Sequence, residues 1–235
     1  GSGYTRTVLD QQNYDSRVIA FKRGDIVDRN GTKIATSERV YNVILDVNMM
    51  TDKDEYIEPT KEVLKECFGI EGSVVDQLVE EDPDSRYKIL ARGIDYNTAQ
   101  KFKEIDEDDE NYPNVMGIWL EDDYTRTYPY GSMASDVIGF TYAGNLGAIG
   151  IENAYNDVLN GTDGREYGYF DSESSVERPV KPAKNGNTVV STIDVTLQNI
   201  VEKAILEFNQ ERAGDGELGS KNTAVIIMNP NTGEI

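Results

Sequence analysis

The chain has 235 residues, of which 38% are hydrophobic, and a formal net charge of −20 at pH 7. This length allows one large domain or two small ones, whereas the acidity argues against nucleic acid and anionic membranes as partners. The sequence has no histidine and one cysteine, Cys67, which excludes histidine-dependent nucleophilic catalysis and an internal disulfide. No apolar run of about 18 residues occurs, so we predict no membrane insertion of this chain, and we predict no metal or cofactor site.

The first half of the chain predicts short strands mixed with helices. Asn30 and Gly31 stand between apolar pairs at 26–27 and 34–35, which predicts a hairpin with a type I′ turn. Residues 40–47 alternate in polarity, as in a half-buried strand. Further helices are predicted at 59–68, 73–80 and 98–105, and further strands at 86–91 and 115–120. The first of these helices has proline in its first turn, and the second opens with Ser73 as a cap.

The second half predicts a short helix at 132–138 and a longer one at 149–159. In the longer helix we expect Ala154, Tyr155, Val158 and Leu159 to face inward. Residues 164–192 are predicted to be rich in strands, with a linker at 181–187. Beyond it, a strand at 187–192, a helix capped by Asp194 and an apolar strand at 223–228 follow one another. The helix carries a buried stripe at helical spacing, formed by Leu197, Ile200, Val201, Ala204, Ile205 and Phe208.

Charged residues gather at several of the predicted turns. Arg126 comes just before a turn that contains Pro129 and Gly131, and Glu152 lies near a helix start. Arginines beside such turns often connect loops through paired hydrogen bonds to carboxylates. We therefore expect Arg23 or Arg126 to pair with Glu152, with separately solvated charges as the alternative.

One short motif suggests an enzyme. Ser85 and Lys88 have the S-x-x-K spacing of penicillin-recognising serine enzymes. That chemistry requires the serine to open a helix, so that the lysine one turn later can share its proton. Here the run reads as a strand, in which the two side chains would point to opposite faces.

Several segments of the chain, in the same order as in the family, resemble the N-terminal module of class B penicillin-binding proteins, the monofunctional transpeptidases that cross-link peptidoglycan. The resemblance lies in residues 23–35, 126–131, 134–140 and 147–152, and it continues through 191–198 and 224–235. Residues 48–115 agree only in layout. The motif residues are expected to have a structural or interaction role: Arg23, Gly24, Asp28, Arg29, Asn30, Gly31, Arg126, Tyr128, Pro129, Gly131, Gly150 and Glu152.

The resemblance implies a parent protein with a membrane helix, a non-catalytic pedestal or dimerisation domain, and a serine D,D-transpeptidase domain. We expect residues 4–186 to be the pedestal, with an α/β insert at about 48–115, and residues 187–235 to be the truncated start of the transpeptidase domain. The fold class is then α+β: an elongated, β-rich pedestal followed by strand–helix–strand. The catalytic motifs should follow Ile235, so this chain is not expected to be an enzyme.

The expected function is to position the catalytic domain and contact partners in cell-wall synthesis, as part of cell shape or cell division. The resemblance implies that the partners are its own transpeptidase domain, a polytopic glycosyltransferase and other cell-wall proteins. It places the module on the extracytoplasmic face of the membrane. The charged hairpin would brace the subdomains of the pedestal. The alternatives are a free-standing extracellular binding or adhesion module, and a small penicillin-recognising hydrolase that uses Ser85.

Overall fold

A computed structural model describes residues 16–142, 145–167, 180–214 and 219–235. Two compact units emerge from the contacts between Cα atoms. The first unit comprises the described residues of 1–21, 38–125 and 162–184, and the second those of 22–37, 126–161 and 185–235. The second unit thus contains residues from both sides of position 187, where the sequence places a domain boundary, and that boundary stays a prediction.

The described residues form ten strands and eight helices, in agreement with the α+β class. The strands are β1 (Ser16–Ile19), β2 (Ile26–Val27), β3 (Lys33–Leu45), β4 (Lys88–Ile94), β5 (Ile118–Thr127), β6 (Thr141–Tyr142), β7 (Leu146–Gly147), β8 (Gly164–Tyr167), β9 (Val180–Lys181) and β10 (Val189–Val190). The helices are α1 (Val47–Met50), α2 (Asp54–Phe68), α3 (Gly72–Glu81), α4 (Tyr96–Asp106), α5 (Ser135–Ile138), α6 (Gly150–Ala154), α7 (Asn156–Leu159) and α8 (Val195–Arg212). Within these residues no helix is both long and apolar enough to cross a membrane.

The core of the first unit lies between the C-terminal half of β3 and helices α2 to α4. β4 pairs antiparallel with β3, with Tyr41 opposite Ile94 and Leu45 opposite Lys88, and β5 also pairs with β3. The central buried residues of this core are Val43, Leu45, Met50, Leu64, Val75 and Phe102. As the sequence predicts, α4 buries Ala99, Phe102 and Ile105 on one side. A separate sheet of the same unit has the order β1–β8–β9, and both of its pairings are antiparallel.

The second unit is built on the predicted hairpin. β2 pairs antiparallel with the start of β3, and β10 pairs parallel with β2. A small core of Ile26, Ile34, Ala35, Ile138 and Leu159 lies against these strands. The N-terminal residues of β3, the longest strand in the described part of the chain, therefore belong to this unit, while its C-terminal residues belong to the other.

The turn of the hairpin differs from the prediction. Only Gly31 has a positive φ, 87°, whereas a type I′ turn requires positive φ at both central residues. The carboxylate of Asp28 instead accepts hydrogen bonds from the backbone N–H of Asn30 and of Thr32, both at 2.8 Å. This side chain adds to the turn's own backbone hydrogen bonds, from Asp28 N–H to Thr32 O at 2.8 Å and from Gly31 N–H to Asp28 O at 3.1 Å. The loop is longer than two residues, and the register of β2 against β3 shifts between Ile26 and Val27.

Three predicted helices differ in detail from those observed. Helix α2 begins at Asp54, so that Pro59 lies inside it and not in its first turn, although Gly69 ends it in a left-handed conformation as expected. Helix α3 begins at Gly72, and Glu71 occupies its N-cap position in place of Ser73. The predicted helix at 149–159 is interrupted at Tyr155 and forms α6 and α7. Leu159 is buried as expected, but Ala154 is exposed, and Tyr155 and Val158 are 49% and 41% exposed.

The C-terminal segment shows the largest departures. Asp194 caps α8 as predicted, because its carboxylate accepts from the N–H of Thr196 and Leu197. The predicted buried stripe is not buried: Leu197, Ile200 and Phe208 are 42%, 59% and 46% exposed. Residues 223–228 do not form a strand, since a strand requires a neighbour for its backbone groups and none of the described residues supplies one there. The turn that follows is present, with Gly233 N–H donating to Asn229 O.

Candidate functional site

Glu152 is the centre of a buried network in the second unit. It lies on α6, and none of its surface is exposed. One carboxylate oxygen, Oε1, accepts from Arg126 Nε at 2.7 Å and from the Tyr128 hydroxyl at 3.2 Å. The other, Oε2, accepts from Arg23 Nε at 2.8 Å. Two guanidinium groups therefore share one carboxylate, away from solvent.

Arg23 is also fully buried, and all of its nitrogens are hydrogen-bonded. Besides its contact with the Glu152 carboxylate, its Nη2 donates to the main-chain oxygen of Glu152 at 2.8 Å. Its Nη1 lies within hydrogen-bonding distance of Asn145 O, Asn156 Oδ1 and Asn160 Oδ1, at 2.9, 3.1 and 2.7 Å. A guanidinium has five N–H donors in a fixed plane, so this one residue orients several neighbouring segments at once.

Arg126 approaches Glu152 from the other side and is also buried. Its Nη1 donates to Gly24 O at 2.8 Å and lies 3.1 Å from Ser37 Oγ. Among the described residues, its Nη2 has no hydrogen-bond partner. The sequence hypothesis offered Arg23 or Arg126 as the partner of Glu152, and the structure pairs both with it. All three residues belong to the second unit, so the network joins segments of that unit.

Tyr128 is the second hydrogen-bond donor to Oε1, beside Arg126. Burial, followed by the negative charge of Glu152, raises the pKa of the Tyr128 hydroxyl. The phenol therefore stays protonated at neutral pH and can donate to the carboxylate. A phenol that stays protonated suits a permanent brace more than proton transfer.

Two of the motif glycines allow backbones to meet beside the network. A Cβ atom on Gly24 would lie 1.9 Å from Asn187 O, and its N–H donates to Leu159 O at 2.8 Å. Gly150 has a φ of 62°, and a Cβ atom there would lie 2.4 Å from Val137 O. Side chains at either position would force these segments apart.

The hairpin turn connects to the start of α8 through Asp28. Its Oδ1 holds the turn, while its Oδ2 accepts from Val195 N–H at 3.2 Å. Burial by itself would raise the pKa of Asp28, but the hydrogen bonds from Thr32, Val195 and Asn30 outweigh it and hold the pKa below its ordinary value. Asp28 is thus a second, smaller connection point of the unit.

The remaining motif residues do not join the network. Arg29 forms an exposed ion pair with Glu234, at 3.4 Å. Pro129 lies within the turn in which Gly131 N–H donates to Tyr128 O, and Gly131 has a φ of 61°. Pro129 and Gly131 thus set the course of the backbone next to Tyr128. Within the described structure, neither they nor Arg29 form a hydrogen bond or ion pair with Glu152.

Sequence reasoning missed the asparagines. Asn156 lies in the helix predicted at 149–159 and Asn160 directly follows it, four residues later; Asn156 also accepts from Gly147 N–H at 3.0 Å. Their spacing, which would place two amides on the same helix face, is the signal that could have found them. Asn145 contributes only its main-chain oxygen and left no signal in the sequence.

The S-x-x-K match does not form a catalytic pair in this structure. Ser85 lies in an irregular segment before β4, where its hydroxyl contacts the backbone of Tyr87 at 3.4 Å. Lys88 is the first residue of β4, and its Nζ lies 2.9 Å from Asp82 Oδ2. The serine does not open a helix, and the lysine is paired elsewhere.

Comparison with known proteins identifies the class of protein to which this chain belongs. The model of the penicillin-binding protein dimerisation domain matches residues 18–191. The chain belongs to this family, and its resemblance to the N-terminal module of class B penicillin-binding proteins is confirmed. Stage V sporulation protein D of Bacillus subtilis is 27% identical over 227 residues, covering 94% of this chain and 32% of that protein. Peptidoglycan D,D-transpeptidase MrdA of Escherichia coli is 27% identical over 245 residues, covering 92% and 35%.

Solved structures show the same fold. Penicillin-binding protein 2X of Streptococcus thermophilus matches with a TM-score of 0.62 and 22% identity, over 83% of this chain and 31% of that one. The complex of penicillin-binding protein 2 with MreC from Helicobacter pylori matches with a TM-score of 0.59 and 20% identity, over 83% and 38%. The chain thus spans about a third of the length of the relatives it matches.

Proposed function

We propose that this chain is the non-catalytic pedestal of a bacterial cell-wall D,D-transpeptidase, on the extracytoplasmic face of the membrane, followed by the first part of the catalytic domain. The observation that carries the proposal is the buried network of Arg23, Arg126 and Glu152. The network joins residues from three separate family motifs. Among the described residues, Arg126 Nη2 is the one side-chain nitrogen of the network without a hydrogen-bond partner. Such an arrangement maintains a shape, which is what a support for another domain must do.

The C-terminal segment supports the second part of the proposal. Helix α8 leaves apolar residues exposed, and residues 223–228 are apolar but unpaired. Contiguous exposed apolar faces usually contact another surface. We assign 4–186 to the pedestal and 187–235 to the start of the transpeptidase domain, the rest of which would cover α8.

The partners follow from the relatives. A structural neighbour was solved in complex with MreC, and the resemblance implies a polytopic glycosyltransferase as well. We extend both to this chain as partners of the parent protein. The surfaces of the second unit would then serve two purposes, support of the catalytic domain and contact with cell-wall synthesis proteins.

A fluorescent penicillin tests the catalytic half of the proposal. We expect no covalent label on this chain, and label on the full-length parent at a serine beyond residue 235. The matched control is Ser85→Ala in the parent, which should be labelled as fast as the unchanged protein. Label on the chain itself that Ser85→Ala removes would overturn the proposal in favour of the hydrolase.

The support role needs a separate measurement. In the full-length parent, Glu152→Gln should reduce peptidoglycan cross-linking in cells while leaving acylation of the purified protein by penicillin nearly unchanged. The reason is that the network lies far along the chain from the acylating serine but determines how the catalytic domain is held. Equal cross-linking by the variant and the parent would contradict the support role.

A further inference from the structure

The short hairpin formed by β6 and β7 has two different faces. Thr141 lies opposite Gly147 and Tyr142 opposite Leu146, and Ala148 N–H donates to Phe140 O at 2.8 Å, which extends the pairing. Side chains alternate between the faces of a strand, and directly opposed residues share a face. Phe140, Tyr142 and Leu146 therefore lie on one face, which we call the aromatic face.

The opposite face rests on the buried network. A Cβ atom on Gly147 would lie 2.0 Å from Glu152 O, so the backbone of β7 lies directly against α6. Gly147 N–H donates to Asn156 Oδ1, and Asn145 O accepts from Arg23 Nη1. The hairpin is thus held in place through its glycine side.

The aromatic face is the exposed one. Phe140, Tyr142 and Leu146 are 51%, 57% and 43% exposed. A two-sided antiparallel sheet normally turns its apolar side chains to the core and its small or polar ones to water. Here the order is reversed, because the glycine side is packed and the aromatic side is open. The hydrogen bonds that join the hairpin to Arg23 and Asn156 use main-chain groups of Asn145 and Gly147.

The stretch of chain that carries the aromatic face is acidic. The sequence contains no lysine or arginine between Arg126 and Arg165. Asp136 on α5 and Asp157 on α7 are exposed, and both helices contact α6 beneath the hairpin. With a net charge of −20, the chain repels a second copy of itself and any anionic surface. Charge complementarity favours a cationic partner.

From this geometry we propose that the aromatic face is a docking surface for a cationic amphipathic segment of another protein. Apolar side chains of that segment would cover Phe140, Tyr142 and Leu146, and lysines or arginines on its rim would face Asp136 and Asp157. Aromatic residues on a rigid support are well suited to anchor such a contact. The proposal rests on the proposed function and deepens it, since it names the chemistry of one partner.

A designed peptide tests the surface. The probe is a fluorescently labelled helical peptide of leucine and lysine arranged with one apolar face, and its binding is followed by fluorescence anisotropy. The double variant Phe140→Ser, Tyr142→Ser should raise the Kd about tenfold or more. The control, Val74→Ser with Tyr96→Ser, removes two residues that are 46% and 59% exposed in the first unit and should leave the Kd unchanged. A thermal melt checks that both variants are folded.

Charge and competing occupants are tested in the same format. Asp136→Asn with Asp157→Asn should weaken binding of the leucine–lysine peptide, and a leucine–glutamate peptide should bind far more weakly. Equal binding of the two peptides, or equal loss in the hairpin and control variants, would overturn the proposal. The proposal would also be overturned if the chain self-associated, or bound phosphatidylcholine vesicles, and Tyr142→Ser abolished that interaction. Acylation by penicillin would overturn the proposed function but would not alter these affinities.

Discussion

At the scale of single residues, the central feature is that two buried arginines share the single carboxylate of Glu152. A buried ion pair costs much desolvation, so its presence need not add stability, but removing one partner leaves the other charge uncompensated. Arg23 is the better satisfied of the two arginines, since Nη2 of Arg126 lacks a partner within the described residues. Replacing any one of the three side chains therefore weakens the contacts of the other two.

The first prediction concerns the carboxylate. Glu152→Gln keeps the shape of the side chain but removes the charge that two guanidinium groups share. We expect the free energy of unfolding to fall by about 3–5 kcal/mol, measured by urea denaturation. The matched control is Glu234→Gln, whose partner Arg29 is 45% exposed, and for which we expect less than about 1 kcal/mol. Similar losses in both variants would show that burial of the network is not what matters.

The second prediction concerns Arg126. Arg126→Ala should lower the melting temperature by roughly 5–10 °C, because Glu152 Oε1, Gly24 O and Ser37 Oγ lose their common donor. The control is Arg39→Ala, since the Arg39 side chain is 57% exposed and its Nε lies 3.8 Å from Asp122. Differential scanning calorimetry of the three proteins measures the difference. An unchanged midpoint for Arg126→Ala would rule out the brace.

At the scale of elements, the second unit depends on close approach of backbones. The hairpin β6–β7 lies on α6 only because Gly147 has no side chain. Gly24 and Gly150 play the same part between other segments. These contacts place the hydrogen-bonding groups of the network at their observed distances.

The third prediction follows from this packing. Gly147→Ala should lower the free energy of unfolding by about 1–3 kcal/mol, since a Cβ atom would lie 2.0 Å from Glu152 O. Gly214→Ala is the control, because no atom lies within 4 Å of a Cβ atom built there. Chemical denaturation of both variants decides the point, and an alanine at 147 as harmless as the one at 214 would contradict the packing.

The fourth prediction concerns the hairpin turn and pH. The folded protein holds the pKa of Asp28 below its ordinary value, so the unfolded state binds the proton more readily. Its contribution to stability is complete above the unfolded pKa of about 3.9 and is lost as pH falls through the folded pKa. Relative to Asp28→Asn, the unchanged protein should therefore lose its advantage below about pH 4. Urea denaturation of both proteins from pH 7 to pH 3 measures this; a constant difference would contradict it.

At the scale of the whole molecule, the chain contains surfaces that its own described residues do not cover. The exposed stripe of α8 is one of these. The same helix has a well-formed cap at Asp194 and contacts the turn at Asp28. Its start is thus fixed in the second unit, while much of its apolar surface remains open.

The fifth prediction uses this contrast. Ile200→Glu should change the free energy of unfolding of this chain by less than about 0.5 kcal/mol, because the side chain is 59% exposed. The same change in the full-length parent should be strongly destabilising if the transpeptidase domain covers α8. Leu159→Glu, at a fully buried position, is the positive control in both proteins. Equal tolerance of Ile200→Glu in the parent would contradict the proposed assignment of 187–235.

Much of the local structure could be predicted from the sequence, because its signals act over a few residues. Gly69 and Asp194 mark helix ends through backbone geometry and capping, and Ala99, Phe102 and Ile105 mark a buried helix face. The pairing of Arg23 and Arg126 with Glu152 could be predicted because arginines, turns and a carboxylate appeared in a known order. The asparagine contacts of Arg23 could not be predicted, since a side-chain amide has many possible partners.

Periodicity, turn residues and motif order predict the α+β class, the family and the hairpin around Gly31, because these are properties of neighbouring positions. The fold was needed to show that one carboxylate serves two arginines, that Asp28 reshapes the turn, and that the aromatic side of β6–β7 faces outward. Local patterns do not reveal these features, because burial, strand pairing and charge pairing are set by groups distant in the chain. The stripe on α8 shows this most directly: its pattern predicts burial, but burial requires a second surface.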